Sequence, residues 1–401
     1  MGIPVCNNTL ETNRISEVPI HGVLTFHHIA LILVSFFVII STSTSLYLMY
    51  QHATHYSVPH QQKYILRILF IIPAYGATCL LVTGFYRYYV YFSIIMAVLA
   101  PLILVGYLTF ICCLIAPAWE QQQDWLRMKE ARPWIFPLNL LYSITGMQNG
   151  PFRTPRTALT QFNIIWFCVY QYVVVSIMMG IVAISTQAVG KYCQTSLSTH
   201  FAHLWTTIFT ALSMIPAMHT LIQAHWTIRH KFSHLRMDRK LLCIKLVIFL
   251  TSWQSIIFNL ATAKVRSSRY IGQTDVQVVL QYLVLSVELI FFAFLHLKAY
   301  PWKDYVISFD QPGEYQGGAM GWRAFRDMAN LSDIGVAIYR AAHWIFFLRG
   351  RRHLENRAAE KPNGVEDYNL INQKPVNVNV SDDLFCLTYI QWMSQKIRLC
   401  G

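Results

Sequence analysis

The sequence predicts an all-α membrane protein: seven transmembrane helices with the amino terminus outside, then a cytoplasmic amphipathic helix and a disordered tail. Three observations predict it. Only 13% of the residues are charged and 55% are hydrophobic, whereas a soluble domain is about one quarter charged. Uncharged apolar stretches of about 20 residues, long enough to cross a hydrocarbon core, recur along the chain. Lys and Arg gather in alternate connections and in the tail, the asymmetry that orients membrane proteins.

Taken in order, residues 1–25 are polar and lack the short apolar core of a cleaved signal, so the first span acts as an uncleaved anchor. That span is Phe26–Tyr50. The second, Ile68–Tyr86, ends in aromatic residues that suit a membrane interface. The third, Tyr91–Ala116, contains Pro101, which membrane helices accommodate. Ile164–Gln187 and Phe201–Gln223 are the fourth and fifth, the latter with Pro216. Leu241–Ala263 carries Lys245, and Val276–Leu297 carries Glu288. The membrane domain thus occupies 26–300. In 301–354, Met320–Leu348 has apolar residues at three- and four-residue steps with arginines between them, the pattern of a helix lying in the headgroup plane. Residues 355–401 have the polar composition of a disordered cytoplasmic tail.

With the amino terminus outside, the inner connections hold 12 Lys and Arg, the outer segments hold 6, and everything after the last span, residues 298–401, adds 13 on the inner side. The sequon Asn7-Asn8-Thr9 is then an outer glycosylation candidate. The net charge of +13 is placed to meet the bilayer's anionic headgroups rather than nucleic acid. Nothing in the sequence distinguishes the plasma membrane from an endomembrane of the vacuole or lysosome type.

Glu288 is the most informative residue, because a carboxylate in a span faces a cavity or a partner. Lys245 is its candidate partner, or else it snorkels to the interface. Gln171, Gln254 and Gln281 add polar groups that either line a solute route or join helices. Cys112 and Cys113 are lipidation candidates at a span end, or two thiols buried in a helix. No cysteine spacing indicates zinc or a redox pair. The pairs His52/His55 and His230/His234 fall short of a full metal-ligand set, so no metal and no cofactor is predicted. In the tail, Tyr368 and Ile371 follow acidic residues in the manner of a short partner-binding strand.

Several motifs resemble one family, that of organic solute transporter alpha and transmembrane protein 184. They are Arg67-Ile-Leu-Phe-Ile-Ile-Pro73-Ala-Tyr75, Gln171-Tyr-Val-Val-Val175, Lys240-Leu-Leu-Cys-Ile-Lys245 through Trp253-Gln254, Glu288-Leu-Ile-Phe-Phe-Ala-Phe, and Ala324-Phe325-Arg-Asp327 with Asp333-Ile334. The resemblance covers roughly residues 20–340. It implies seven helices, an external amino terminus and gradient-driven movement of amphipathic organic anions such as sterol conjugates. It also implies that Lys245, Gln254 and Glu288 are polar membrane positions, and that Cys112 and Cys113 lie near a lipid-modified region. The Gly-Gly-Glu segment that relatives carry after the third helix is absent here. A homo-oligomer and a single-span partner subunit are both compatible with this reading. The expectation is a non-enzymatic protein that moves or binds an amphipathic, lipid-like solute. The alternative is a membrane scaffold whose tail recruits sorting or autophagy machinery.

Overall fold

A computed structural model describes Cys6 and residues 17–144, 155, 157–194, 196, 198–232, 235–262, 265, 268–307 and 314–344. It is helical, with no strand among the described residues. Six helical stretches are long and apolar enough to cross a membrane: Phe26–Thr54, Pro59–Gly84, Tyr86–Ile115, Ala158–Ala188, Ala202–Ile228 and Asp275–Tyr305. The chain through Ala341 forms one compact unit; of the second, 342–401, only residues 342–344 are described.

Helix α1 (Phe26–Thr54) starts where the Thr25 side chain accepts the His28 N–H, a capping interaction for donors that would otherwise be orphaned. Its buried residues Ala30, Val34, Val38, Ser41, Ser45 and Leu48 fall on one face, while Ile32, Phe36 and Ile39 are exposed on the other. The second span is two helices, α2 (Pro59–Leu69) and α3 (Ile71–Gly84), joined at Phe70. Helix α4 (Tyr89–Ile115) follows a 3-10 turn at Tyr86–Tyr88. Two short helices, α5 (Trp119–Arg127) and α6 (Leu138–Ile144), precede α7 (Ala158–Ala188) and α8 (Ala202–Ile228). Helix α9 (Met237–Thr262) packs on α10 (Leu280–Ala299), which is entered through a π-helical turn at Asp275–Val279. The last helices are α11 (Trp322–Ala329) and α12 (Ser332–His343).

The second span forms the centre of the bundle, with 67% of its apolar window buried, and α1 and α8 form the rim, with 28% each. Lipid is as apolar as a leucine side chain, so helix association in a membrane depends on close packing and on interhelical hydrogen bonds. Both are present. A Cβ on Gly76 of α3 would come 2.9 Å from Val38 and 3.1 Å from the Thr42 hydroxyl of α1. One on Gly180 of α7 would meet Ile94 and Val98 of α4 at 3.3 Å.

Proline accounts for much of the hydrogen bonding between helices. Pro73 has no N–H to donate to Leu69 O four residues back, which breaks the second span at Phe70. The Ser45 hydroxyl of α1 donates to that carbonyl instead, at 2.9 Å. Pro101 likewise frees Ala97 O, and Ser176 of α7 donates to it at 2.6 Å. In α8, Gln171 Nε2 donates to Ser213 O at 2.9 Å and the Ser213 hydroxyl returns a bond to Gln171 Oε1, next in sequence to Leu212 O, the carbonyl that Pro216 frees. In hydrocarbon a freed carbonyl must find such a donor, so Pro73 and Pro101 each specify a neighbour.

Two expectations are corrected. The second span begins at Pro59, not Ile68, because the polar residues of its first turns find protein partners. The amphipathic segment from Met320 is not one helix. It breaks at Asn330, whose side-chain oxygen accepts the Ser332 N–H at 3.1 Å and starts a new helix; Leu348 lies outside the described residues. The turn before α11 sits directly on the end of α1. A Cβ on Gly317 would lie 2.6 Å from Ala53 O, and Gly321, at φ +79°, leaves 2.7 Å between its own missing Cβ and that of Ala53.

Candidate functional site

The two ends of the bundle differ. One carries Cys6 and residues 189–194, 196, 198–201, 265 and 268–275; the other carries residues 55–58, 116–137, 229–232, 235–236, 300–307 and 314–341 and most of the basic side chains.

At the basic end the strongest element is a latch between α2 and α12. The Arg67 guanidinium donates to both Asp333 carboxylate oxygens, at 2.9 and 3.0 Å, while its Nε donates to Met328 O at 2.9 Å and a further N–H reaches Asn330 O. The Tyr64 hydroxyl donates to Asp333 Oδ2 at 2.7 Å, and Lys63 lies 3.5 Å away. Such fork-to-carboxylate geometry is the stronger class of hydrogen bond. Burial pushes the Asp333 carboxyl up, but the Arg67 hydrogen bonds and charge, with Tyr64 and Lys63, outweigh it and hold the group below its ordinary value. Beside the latch, Tyr56 OH donates to Asp327 Oδ2 at 3.4 Å; burial first, then Asp327, pushes that phenol up. Two motifs quoted above, at Arg67 and at Asp327/Asp333, are therefore one contact in space.

A second polar group is buried between α1, α4, α8, α9 and the end of α10. The His225 ring lies between the Tyr107 hydroxyl, 2.9 Å from Nδ1, and Asp238, 2.9 Å from Nε2. Lys240 is only 3% exposed. Its ammonium donates to Leu235 O at 2.6 Å and faces the rings of Tyr300 and Phe110 at 5.4 and 6.0 Å. Among the described residues no acid pairs with it. His52 donates from Nε2 to Tyr300 O at 3.1 Å, again in full burial. In the sequence Lys240 counts as a connection charge and His52 only as half of an incomplete metal-ligand pair; packing shows both enclosed.

The sequence-predicted residues are not gathered into one pocket. Gln171 joins α7 to α8 as described. Gln254 is buried and donates to Gln281 O at 3.3 Å, holding α9 to α10. Lys245 is exposed on α9 in a stripe with Leu242, Phe249 and Trp253. Glu288 faces the other way, half-buried beside Cys79 of α3, with Oε2 lacking a hydrogen-bond partner among the described residues. Since Tyr300 OH bonds Lys240 O, counting residues from that level puts Lys245 and Glu288 about 10 Å apart along the axis at 1.5 Å per residue, and they form no ion pair. Gly76, Cys79 and Thr83 share one stripe of α3, which meets Val38 and Thr42 of α1 at Gly76. Among the described residues the Thr42 and Thr83 hydroxyls, like Glu288 Oε2, are buried without a hydrogen-bond partner. Cys112 and Cys113 are both buried. Asn7, His234, Tyr368 and Ile371 lie outside the described residues.

The other end holds a disulfide, Cys6–Cys193, which spans 187 residues and has no spacing signal in the sequence. Nearby, the Glu17 carboxylate accepts the backbone N–H groups of His27 at 3.1 Å and Gly272 at 2.6 Å. His27 Nδ1 lies 2.7 Å from the fully buried Asp275. Burial pushes Glu17 up, but hydrogen bonds to Asp275 and from Gly272 and His27 bring it below its ordinary value.

Six apolar helices around a core of packed helices, with the carbonyls freed by Pro73 and Pro101 answered from a neighbouring helix, define an integral multi-pass membrane protein. The chain belongs to the organic solute transporter alpha (Ostalpha) family, whose sequence profile matches residues 30–305. That family is one of solute transporters rather than enzymes. The chain is also similar to a transmembrane protein 184 homologue from Dictyostelium discoideum, 27% identical over 256 residues, which make up 62% of this chain and 48% of the relative. It thus spans about half the length of that relative. No solved structure matches the chain.

Proposed function

We propose that the protein facilitates movement of amphipathic organic anions, sterol-like or lipid-like, along the outer flank of α9. The observation that carries this reading is Lys245: an exposed ammonium in an otherwise apolar stripe of Leu242, Phe249 and Trp253. Such a stripe accepts the apolar body of a solute, and a lone cation at low dielectric attracts its anionic end. The unpartnered Glu288 Oε2 offers a hydrogen-bond acceptor deeper in the bundle, while Gln171 and Gln254 hold the helices that border the route. Charge reversal, Lys245→Glu, lowers uptake of an organic anion into reconstituted vesicles about tenfold, equivalent to 1.4 kcal/mol, and Lys245→Arg retains it. Unchanged flux in a folded Lys245→Glu protein rejects the role.

In this reading α9 is a seventh crossing. It starts beside His225 and Asp238 at the basic end, and the chain reappears at residues 265–275 at the other end. The amino terminus is then external, a reading supported by the disulfide, which forms in oxidising compartments. The exposed Trp322, Leu331 and Tyr339 of α11 and α12 suit a position in the headgroup layer of the inner leaflet. Impermeant labelling of the Arg229–Lys240 stretch from outside intact cells would overturn this orientation.

A further inference from the structure

Residues 128–144 connect α5 to the approach of α7 and are tied down along their length. Gln161 of α7, itself buried, donates from Nε2 to Arg132 O at 2.7 Å and accepts the Arg132 N–H at 3.2 Å. Gln223 of α8, also buried, donates to Pro133 O at 3.1 Å and accepts the Ile135 N–H at 3.0 Å. His219 bonds Phe136 O at 3.2 Å, and Trp134 is buried beneath. The segment is therefore a strap fixed across the ends of two membrane-spanning helices.

Its outward side chains do not suit water. Met128 is 81% exposed, Phe136 73% and Ile144 70%, with Leu140 also exposed. Leu140 and Ile144, four residues apart in α6, share one helix face, and Phe136 lies just before that helix. Cations lie nearby. Lys129 and Lys231 both lie over the Trp125 ring, at 5.8 and 5.1 Å, and Arg229 stacks on Trp226 at 3.7 Å. Arg132 donates to Trp226 O at 3.2 Å. Asp124 and Asp238, the acids ion-paired here, engage Arg127, Arg229 and His225, and Glu130 is the remaining acid of the strap.

We propose that residues 128–144 dock on the bilayer, with Phe136, Leu140 and Ile144 entering the acyl boundary and Lys129 and Lys231 binding anionic lipid headgroups. The bilayer is the occupant because the strap lies on the ends of α7 and α8, where lipid already surrounds the bundle. Large apolar side chains flanked by basic ones are what a charged interface selects. The backbone hydrogen bonds preorganise the strap, so docking orders nothing further. Each basic side chain near an anionic surface strengthens binding roughly fivefold.

The test uses the full chain in nanodiscs of phosphatidylcholine with a minor fraction of phosphatidylserine, carrying a benzophenone amino acid at position 136 or, separately, 144. Intact-mass analysis after illumination reads the lipid adducts. The proposal expects lipid adducts at both sites, with phosphatidylserine enriched several-fold over its share of the disc. Lys129→Glu with Lys231→Glu, both exposed and outside the core, brings that share back to the bulk value without abolishing the adducts. Three outcomes overturn the proposal: no lipid adduct at either site in a monodisperse sample, cross-linking to a second protein chain, or a phosphatidylserine share equal to bulk in the unaltered protein. Both leaflets of a nanodisc have the same composition, so the result does not depend on the orientation of the chain and separates cleanly from the flux experiment on Lys245.

Discussion

The two ends of this bundle are held by different means. At the disulfide end one covalent bond and a compact group of Glu17, His27 and Asp275 fasten a polar leader to connections far along the chain. At the basic end many moderate interactions spread over several elements: the Arg67 latch, the His225 chain, and the amides that clamp the strap. The difference follows from sequence. The leader before α1 has little apolar surface to bury, so a few strong links fix it, whereas α5, α11 and α12 each bury an apolar residue and need polar contacts mainly to set their register.

The largest expected effect comes from breaking the basic end. Arg67→Ala leaves Asp333 without its guanidinium and frees three carbonyls that Arg67 satisfies. The loss is about 3 kcal/mol, in the range for removing one partner of a buried pair, and is read as thermal unfolding in detergent. The charge exchange Arg67→Asp with Asp333→Arg recovers part of it if the contact is specific.

Breaking the disulfide end costs less. Cys6→Ser lowers stability by about 2 kcal/mol, at the low end of the usual disulfide contribution, because spans that stay helical in lipid already limit the unfolded chain. A loss equal to that of Arg67→Ala would remove the contrast between the ends.

Acid gives the smallest and most discriminating effect. The folded-state values of Glu17 and Asp333 both lie below their ordinary 4.5 and 3.8. Each carboxylate therefore stabilises the fold above its unfolded value and loses that contribution as pH falls through the folded one. Unfolding temperatures of Glu17→Gln and the parent should converge as pH drops below about 4.5, and those of Asp333→Asn and the parent only below about 3.8. Between pH 5 and 8 the Asp333→Asn difference should not change with pH.

Much of the fold was legible because hydrocarbon imposes a simple rule: long uncharged stretches must coil. Pro73 and Pro101 were legible too, but not Ser45 and Ser176, the donors that answer them, since helix neighbours are not written in local pattern. The start of the second span was misread because Tyr64 and Arg67 look like loop residues until partners some 270 positions later are known, and Gln62 until its bonds to His52 O and His55 O are known. Lys240 and Lys245 lie five residues apart on one helix, and hydropathy treats them alike. Only the neighbours decide that the first is enclosed and the second faces outward.

The glycine turn seated on Ala53 has a mechanical consequence. With backbone against backbone and no side chain between to yield, it works as a thrust bearing at the foot of the first helix. Axial travel of α1 is delivered to α11, and the guanidinium fork passes it back into α2, closing a loop of rigid parts. A push on the start of α1 at one membrane face is thereby delivered to the opposite face without any intervening element having to unfold.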